Sequence, residues 1–152
     1  MKIRLAKPKD KTRVLTLLNQ LGKIINELVA FDPDNERAHI LGRDNYDRVM
    51  KNDEVKLFVI EDKSKIMGVA SFFILRDMIT GRPFAHIDDF IIDEAERNKG
   101  YGTRLMHGIL EYGKSHDIHA IQLTSSLQLV EAHKFYENLG GKFARKVIKF
   151  TL

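Results

Sequence analysis

The chain has no cysteine. That excludes a disulfide framework, a Cys-ligated zinc site and a cysteine nucleophile. Long apolar runs are also missing. A membrane-spanning helix needs about 20 predominantly apolar residues, and the longest purely apolar stretches here are only a few residues. The start, Met1-Lys2-Ile3-Arg4-Leu5-Ala6-Lys7-Pro8, is basic but lacks the apolar segment of a secretion signal. These features lead us to expect a cytoplasmic protein with no membrane partner. Internal repeats, low-complexity tracts and Pro/Gly/Ser-rich linkers are absent too. With 152 residues, the expectation is one domain spanning 1–152. The charge excess is small, +4, and its lysines and arginines are spread along the chain. A nucleic-acid partner favours a gathered basic block, so none is expected.

What is present is an ordinary globular balance, 43% hydrophobic and 30% charged. A chain of this length buries a real core without metal or disulfide staples. Lys2–Ala6 alternates as a strand does. Asp10 or Thr12 stands where a helix cap would, ahead of an apolar face of Val14, Leu15, Leu17, Leu18 and Leu21. Gly22 is a candidate interruption, after which Ile24, Ile25, Leu28 and Val29 continue the pattern. Phe31-Asp32-Pro33-Asp34-Asn35 breaks it, and a weaker helix is expected from about Arg43 to Met50. Lys56–Glu61 and Ile66–Leu75 are β-rich runs joined by Asp62-Lys63-Ser64-Lys65, a hairpin signal. Beyond the turn at Thr80-Gly81-Arg82-Pro83, Phe84–Ile92 reads as a third strand. Tyr101, Leu105, Ile109 and Tyr112 recur at helical spacing. Ala120–Thr124 reads as a strand, and Ala132, Phe135, Tyr136 and Leu139 as a helix ended by Gly140-Gly141. Val147–Leu152 reads as a last strand. This order predicts an α/β fold with a mixed, mostly antiparallel central sheet flanked by helices.

Residues 90–103, Phe-Ile-Ile-Asp-Glu-Ala-Glu-Arg-Asn-Lys-Gly-Tyr-Gly-Thr, run from a strand end through a polar loop into a helix. The first N–H groups of a helix have no intrahelical partner, and with the helix dipole they attract anions. Gly100 and Gly102 leave room for a close approach. Arg97 and Lys99 add positive charge. The spacing suits a pyrophosphate cradle, or equally a glycine-containing helix start with no ligand. A dinucleotide fingerprint would need glycine at 105, where Leu105 stands, and the nucleotide-triphosphate loop pattern is absent.

Arg97-x-x-Gly100-x-Gly102, five residues after Ile92, resembles motif A of the GCN5-related N-acetyltransferases (GNAT). The opening Ile3-Arg4, Gln20-Leu21-Gly22, Ile87-Asp88-Asp89-Phe90, Leu123-Thr124-Ser125-Ser126 and Ala132-His133-Lys134-Phe135-Tyr136-Glu137-Asn138-Leu139-Gly140 are similar to one subgroup in the same order. The resemblance covers essentially the whole chain. It implies the GNAT acyl-CoA N-acyltransferase fold and acetyl-CoA as acyl donor. It also implies that the main chain of Phe90, Ile91 and Ile92 pairs with the pantetheine arm, and that backbone amides of Arg97, Asn98, Lys99, Gly100, Tyr101, Gly102 and Thr103 hold the pyrophosphate. The strands around the site are expected to splay, with a bulge near Asp89. There are two departures. Leu129 stands where many members carry an asparagine that contacts the cofactor. Gly140-Gly141-Lys142-Phe143 replaces the usual Gly-Phe, which shifts the register expected of the last hairpin.

Acyl transfer to an amine needs a base to take the ammonium proton, a donor to the oxyanion and an acid for the leaving thiolate. Asp88 and Asp89 are the base candidates. Strict alternation sends them to opposite faces, which leaves one to serve, and Asp88, opposite in facing to Ile87, is favoured. A main-chain N–H near Ile91 is the expected oxyanion donor. The resemblance places Tyr136 beside the cofactor sulfur as general acid. The helix pattern alone allows it to be an ordinary core aromatic. His116-x-x-His119 and His86 supply no complete ligand set, so no metal is expected. The acceptor is expected to be an amine of a small molecule or peptide, shaped by residues 22–45 and 76–84. A non-catalytic acyl-CoA-binding or interaction module on the same fold is the alternative. Sheet edges of this fold often pair, so a homodimer is among the expected arrangements.

Overall fold

A computed structural model of the chain describes residues 1–28, 45–145 and 148. Its elements are β1 (Lys2–Leu5), a 3-10 turn (Pro8–Asp10), α1 (Lys11–Leu28), α2 (45–49), β2 (Val55–Asp62), β3 (Lys65–Arg76), β4 (Pro83–Ile87), β5 (Phe90–Ile92), a second 3-10 turn (Glu94–Glu96), α3 (Tyr101–Ser115), β6 (Ile121–Leu123) and α4 (Val130–Asn138). The strands follow the order β1-β2-β3-β4-β6, with β5 alongside β3. Among the described residues every pairing is antiparallel except β4 with β6. This is the mixed, mostly antiparallel sheet that the element order predicts.

Strand alternation builds both faces. Phe58, Ile60, Ala70, Phe72, Ala85, Ile87 and Ile92 meet α3 through Leu105, Met106 and Ile109. Leu57, Val59, Val69 and Ile91 meet α1 through Val14 and Leu17, with Tyr46 of α2. Val14, Leu17, Leu105 and Ile109 are wholly removed from solvent, each contributing about 1.5–3 kcal/mol of burial. The β2–β3 turn at Lys63 (φ 46°) and Ser64 (φ 65°) puts both central residues in the left-handed region. That backbone twist matches the flanking strands, and the register closes with Asp62 opposite Lys65.

Several expectations change. α1 continues through Gly22, because a helix-interior glycine costs only about 1 kcal/mol and the buried face outweighs it. Asp10 does not cap α1. Its carboxylate accepts from the Lys7 N–H at 2.7 Å and from the Arg4 guanidinium at 2.7 and 3.2 Å. Phe84–Ile92 is not one strand. It breaks between β4 and β5 at Asp88-Asp89. The strand expected over Val147–Leu152 lies outside the described residues, Ile148 apart, as do Arg43 and Asp44 of the weaker helix.

Candidate functional site

The break at Asp88-Asp89 is held from β3. Ser71 sits 3% exposed among apolar neighbours. Its Oγ donates to Asp89 Oδ2 at 2.8 Å and accepts from the Asp89 N–H at 2.8 Å. Its own N–H donates to the Asp89 carbonyl at 3.0 Å. The chain kinks around this clamp. On one side, β4 pairs with β6, Ile87 opposite Leu123. On the other, among the described residues β5 pairs with β3 alone, so there the sheet opens between β5 and the chain leaving β6.

The open edge has a definite polarity. Ser71 N–H bonds the Asp89 carbonyl and Asp93 N–H bonds the Met67 carbonyl at 2.8 Å. Ile91 pairs with Val69 midway between them. In an antiparallel ladder the pairs two residues apart share one facing, so the main chain of Ile91 faces β3. The N–H groups of Phe90 and Ile92 face the gap. A main-chain donor into the gap from this strand is therefore Phe90 or Ile92, not Ile91.

The break also changes where the carboxylates point. Val69 belongs to the α1-side core while Ala70 and Phe72 belong to the α3-side core, so Ser71 faces α1 and carries Asp89 with it. His86 lies between Ala85 and Ile87, both in the α3-side core, and so also faces α1. Asp88 follows it, with Oδ1 3.8 Å from His86 Nε2. The two carboxylates thus share a face. Strict alternation fails because the kink inserts a residue out of step. They differ in environment. Asp88 is exposed, at 63% of its side chain. Burial pushes the Asp89 carboxyl above its ordinary value, against the lowering effect of the Ser71 hydrogen bond, and the charge of Asp88 pushes it further up.

Across the gap stands α4. Phe90, Phe135 and Tyr136 form an aromatic cluster with ring centroids 5.8 Å (Phe90–Phe135), 6.2 Å (Phe90–Tyr136) and 5.1 Å (Phe135–Tyr136) apart. The Tyr136 hydroxyl makes no hydrogen bond among the described residues, and burial pushes its pKa up to about 12. Leu129 is the residue before α4 and provides no side-chain cap.

Beyond β5 the chain turns into α3 through two left-handed residues, Asn98 (φ 61°) and Gly100 (φ 80°). The first helical bond is Arg104 N–H to the Gly100 carbonyl at 3.1 Å, which leaves the N–H groups of Tyr101, Gly102 and Thr103 ahead of the ladder. The two glycines serve different ends. Gly100 supplies the left-handed backbone. A Cβ at Gly102 would lie at ordinary contact distance, 3.4 Å from the Phe135 ring and 3.6 Å from Ile92, so α4 leaves room there for little more than a methyl. Tyr101 turns inward, 6% exposed, with its hydroxyl donating to Asp62 at 2.9 Å. Only its backbone is available to a ligand. Lys99 Nζ lies 2.9 Å from Glu96 and from the Ala95 carbonyl, and Arg97 lies 3.9 Å from Glu94. Both cations are exposed, so solvent screens these pairs.

Two supports carried no motif. Ser71 is one; a lone hydroxyl in the apolar run Val69–Phe73 is the signal that could have revealed it. The other is a brace from α1. Arg13 donates to the Ile66 carbonyl at 2.9 Å and is paired with Asp93, while Gln20 accepts from the Glu94 N–H at 3.3 Å. Asp93 in turn accepts from the Ala95 N–H at 3.2 Å. The loop into α3 is thereby tied to α1. Among the histidines, His116 stacks on Tyr112 and His119 bonds the Pro83 carbonyl. Among the described residues no group of three His, Asp or Glu is placed to hold a metal, and no helix is long and apolar enough to cross a membrane.

A sheet opened at one strand thus stands beside a glycine-started helix and a tyrosine-bearing helix. A family model described as the acetyltransferase (GNAT) family matches residues 22–141, and the chain belongs to that family. GNAT acetyltransferases use acetyl-CoA as co-substrate. The chain is 29% identical over 98 residues to a glucosamine 6-phosphate N-acetyltransferase of Trypanosoma brucei brucei, a match spanning 64% of this chain and 65% of that enzyme's length. A tetramutant of the BH1408 protein from Bacillus halodurans superposes with TM-score 0.83 at 23% identity, over 100% of both chains. An aminoglycoside acetyltransferase from an uncultured soil metagenomic sample, solved with sisomicin, superposes with TM-score 0.74 at 18% identity, over 99% of this chain and 94% of that one. At such identities the structural matches speak for the fold.

Proposed function

We propose that the chain is a single acetyl-CoA-dependent N-acetyltransferase domain that passes an acetyl group to a primary amine of a small molecule or peptide. The observation that carries this reading is the junction at Asp88-Asp89. There the opened strand edge, a half-buried tyrosine and the start of α3 meet around one gap. The residues suit acetyl-CoA. The N–H groups of Tyr101, Gly102 and Thr103 at the start of α3 favour a pyrophosphate, and the outward main chain of Phe90 and Ile92 offers an extended arm a strand to pair with. When bound there, the thioester supplies an activated acetyl group.

The chain's own groups then divide the remaining work. An alkyl ammonium has a pKa near 10.4, so a base must free the nitrogen lone pair. Asp89 is held rigidly by Ser71, and its raised pKa makes it a better proton acceptor than an ordinary aspartate. It takes the proton directly or through water, and Asp88 beside it draws the ammonium in. The N–H of Phe90 or Ile92 donates to the carbonyl oxygen as charge develops. Tyr136 holds its proton at every working pH, gives it to the sulfur as the C–S bond breaks, and regains one as the acylated nitrogen loses its second proton. The same dry surroundings that raise the phenol also raise a thiol there, which keeps the transfer from being steeply uphill.

Free-thiol release from acetyl-CoA across a panel of primary amines, run beside calorimetric binding of acetyl-CoA, tests this. Amine-dependent release is expected. Binding without release from any amine would make the chain a non-catalytic acyl-CoA-binding module instead.

A further inference from the structure

On the α1-side face, one strand step beyond the break, Phe73 of β3 pairs with His86 of β4 and Leu75 pairs with Phe84. Phe73, Leu75, His86 and Asp88 line an open depression of about 280 Å³. Leu75 is 45% exposed there, and the hairpin tip beyond it carries Met78 and Ile79, each 95% exposed. Solvent-facing apolar residues gathered in this way mark a binding surface more often than scattered ones do. None of the four lining residues is lysine or arginine. A phosphate group would find no guanidinium or ammonium among them and would meet the carboxylate of Asp88. An ammonium would find Asp88 exposed and uncommitted, apart from His86 at 3.8 Å.

We propose, resting on the acetyltransferase reading above, that the acceptor is a primary amine borne on an apolar body, an aryl-alkyl or branched-alkyl amine. Its ammonium is received by Asp88, and its body lies on Phe73 and Leu75. The charge pattern fixes the orientation. The nitrogen sits at the Asp88 end, next to Asp89 and the gap in the sheet, and the apolar body runs away from the gap along the hairpin. This acceptor differs in kind from the phosphorylated amino sugar named for the trypanosomal relative.

The test uses the full chain with acetyl-CoA and three amines, 2-phenylethylamine, ethanolamine and glucosamine 6-phosphate, with kcat/KM read from thiol release and acetyl-CoA binding measured separately. We expect 2-phenylethylamine to exceed each of the others by at least about tenfold, the scale of burying an aromatic side group. Leu75→Lys, a change at a half-exposed position, should cut that preference about tenfold and leave acetyl-CoA affinity unaltered. Equal or better turnover of ethanolamine or glucosamine 6-phosphate, turnover of none of the three, or an unchanged preference in Leu75→Lys would overturn the inference while acetyl-CoA binding persists. Failure of the unaltered chain to bind acetyl-CoA would overturn the acetyltransferase reading and this inference with it.

Discussion

Tyr136 and the aspartate pair show how far environment separates residues of similar chemistry. With its pKa pushed up to about 12, Tyr136 can act only as an acid below pH 10. Tyr136→Phe should lower kcat by about 10²–10⁴-fold, the usual range for general acid–base groups, with acetyl-CoA affinity nearly unchanged. Steady-state kinetics beside direct binding reads both, and unchanged turnover would remove the acid role. The aspartates should separate in the same assays. Asp89 must be ionised to accept a proton, so kcat/KM should rise with pH through a value above the ordinary aspartate range of about 3.9. Asp89→Asn should abolish that acid limb and cost about 100-fold or more. Asp88→Asn should mainly raise the amine KM. The reverse pattern would exchange their roles. The sequence named both residues and favoured Asp88; the preference for Asp89 as base comes from its clamp to Ser71, 18 positions away in the chain.

At the scale of elements, the start of α3 is where backbone chemistry and packing coincide. Gly102→Asp sets a carboxylate against the N–H groups offered to the pyrophosphate and presses a side chain on Phe135. Acetyl-CoA binding should fall by at least about 100-fold in calorimetry. Gly102→Ala adds a methyl at ordinary contact distance and should lose only a few-fold. Normal binding by the aspartate variant would displace the pyrophosphate from this helix. The loop was legible because its glycines and cations are consecutive in sequence. The break between β4 and β5 was legible only as a bulge near Asp89. Periodicity reports which residues are apolar, and Phe84–Ile92 stays apolar enough on both sides to read as one strand. What parts it is a tertiary contact, the Ser71 clamp, and with it goes the rule that neighbouring carboxylates face opposite ways.

For the whole molecule, the aspartates bound to arginine connect stability to pH. Hydrogen bonds from Arg4 and Arg13 hold Asp10 and Asp93 below the ordinary carboxylate range. Between those lowered values and about 3.9 the unfolded chain binds more protons than the folded one, so stability rises with pH across that window. It is fully present above it and is lost as the pH falls through the folded values. Arg13→Ala leaves Asp93, 7% exposed, without its partner and should cost about 1–3 kcal/mol in denaturant unfolding at neutral pH. The variant should also show a shallower loss on acidification. An unchanged midpoint would mean that the brace carries no stability.

By itself the sequence determined the order of most elements, the mixed sheet and the strand-loop-helix segment from Phe90 to Thr103. These depend on side-chain periodicity and on residues adjacent in the chain, and hydrophobic burial acts on such patterns wherever they occur. Only the tertiary structure decided that Asp88 and Asp89 share a face, that Phe90 and Ile92 rather than Ile91 turn to the gap, and that α1 steadies the loop through Arg13 and Gln20. Each of these follows from contacts between residues far apart in sequence, whose energies exist only once the sheet has brought them together.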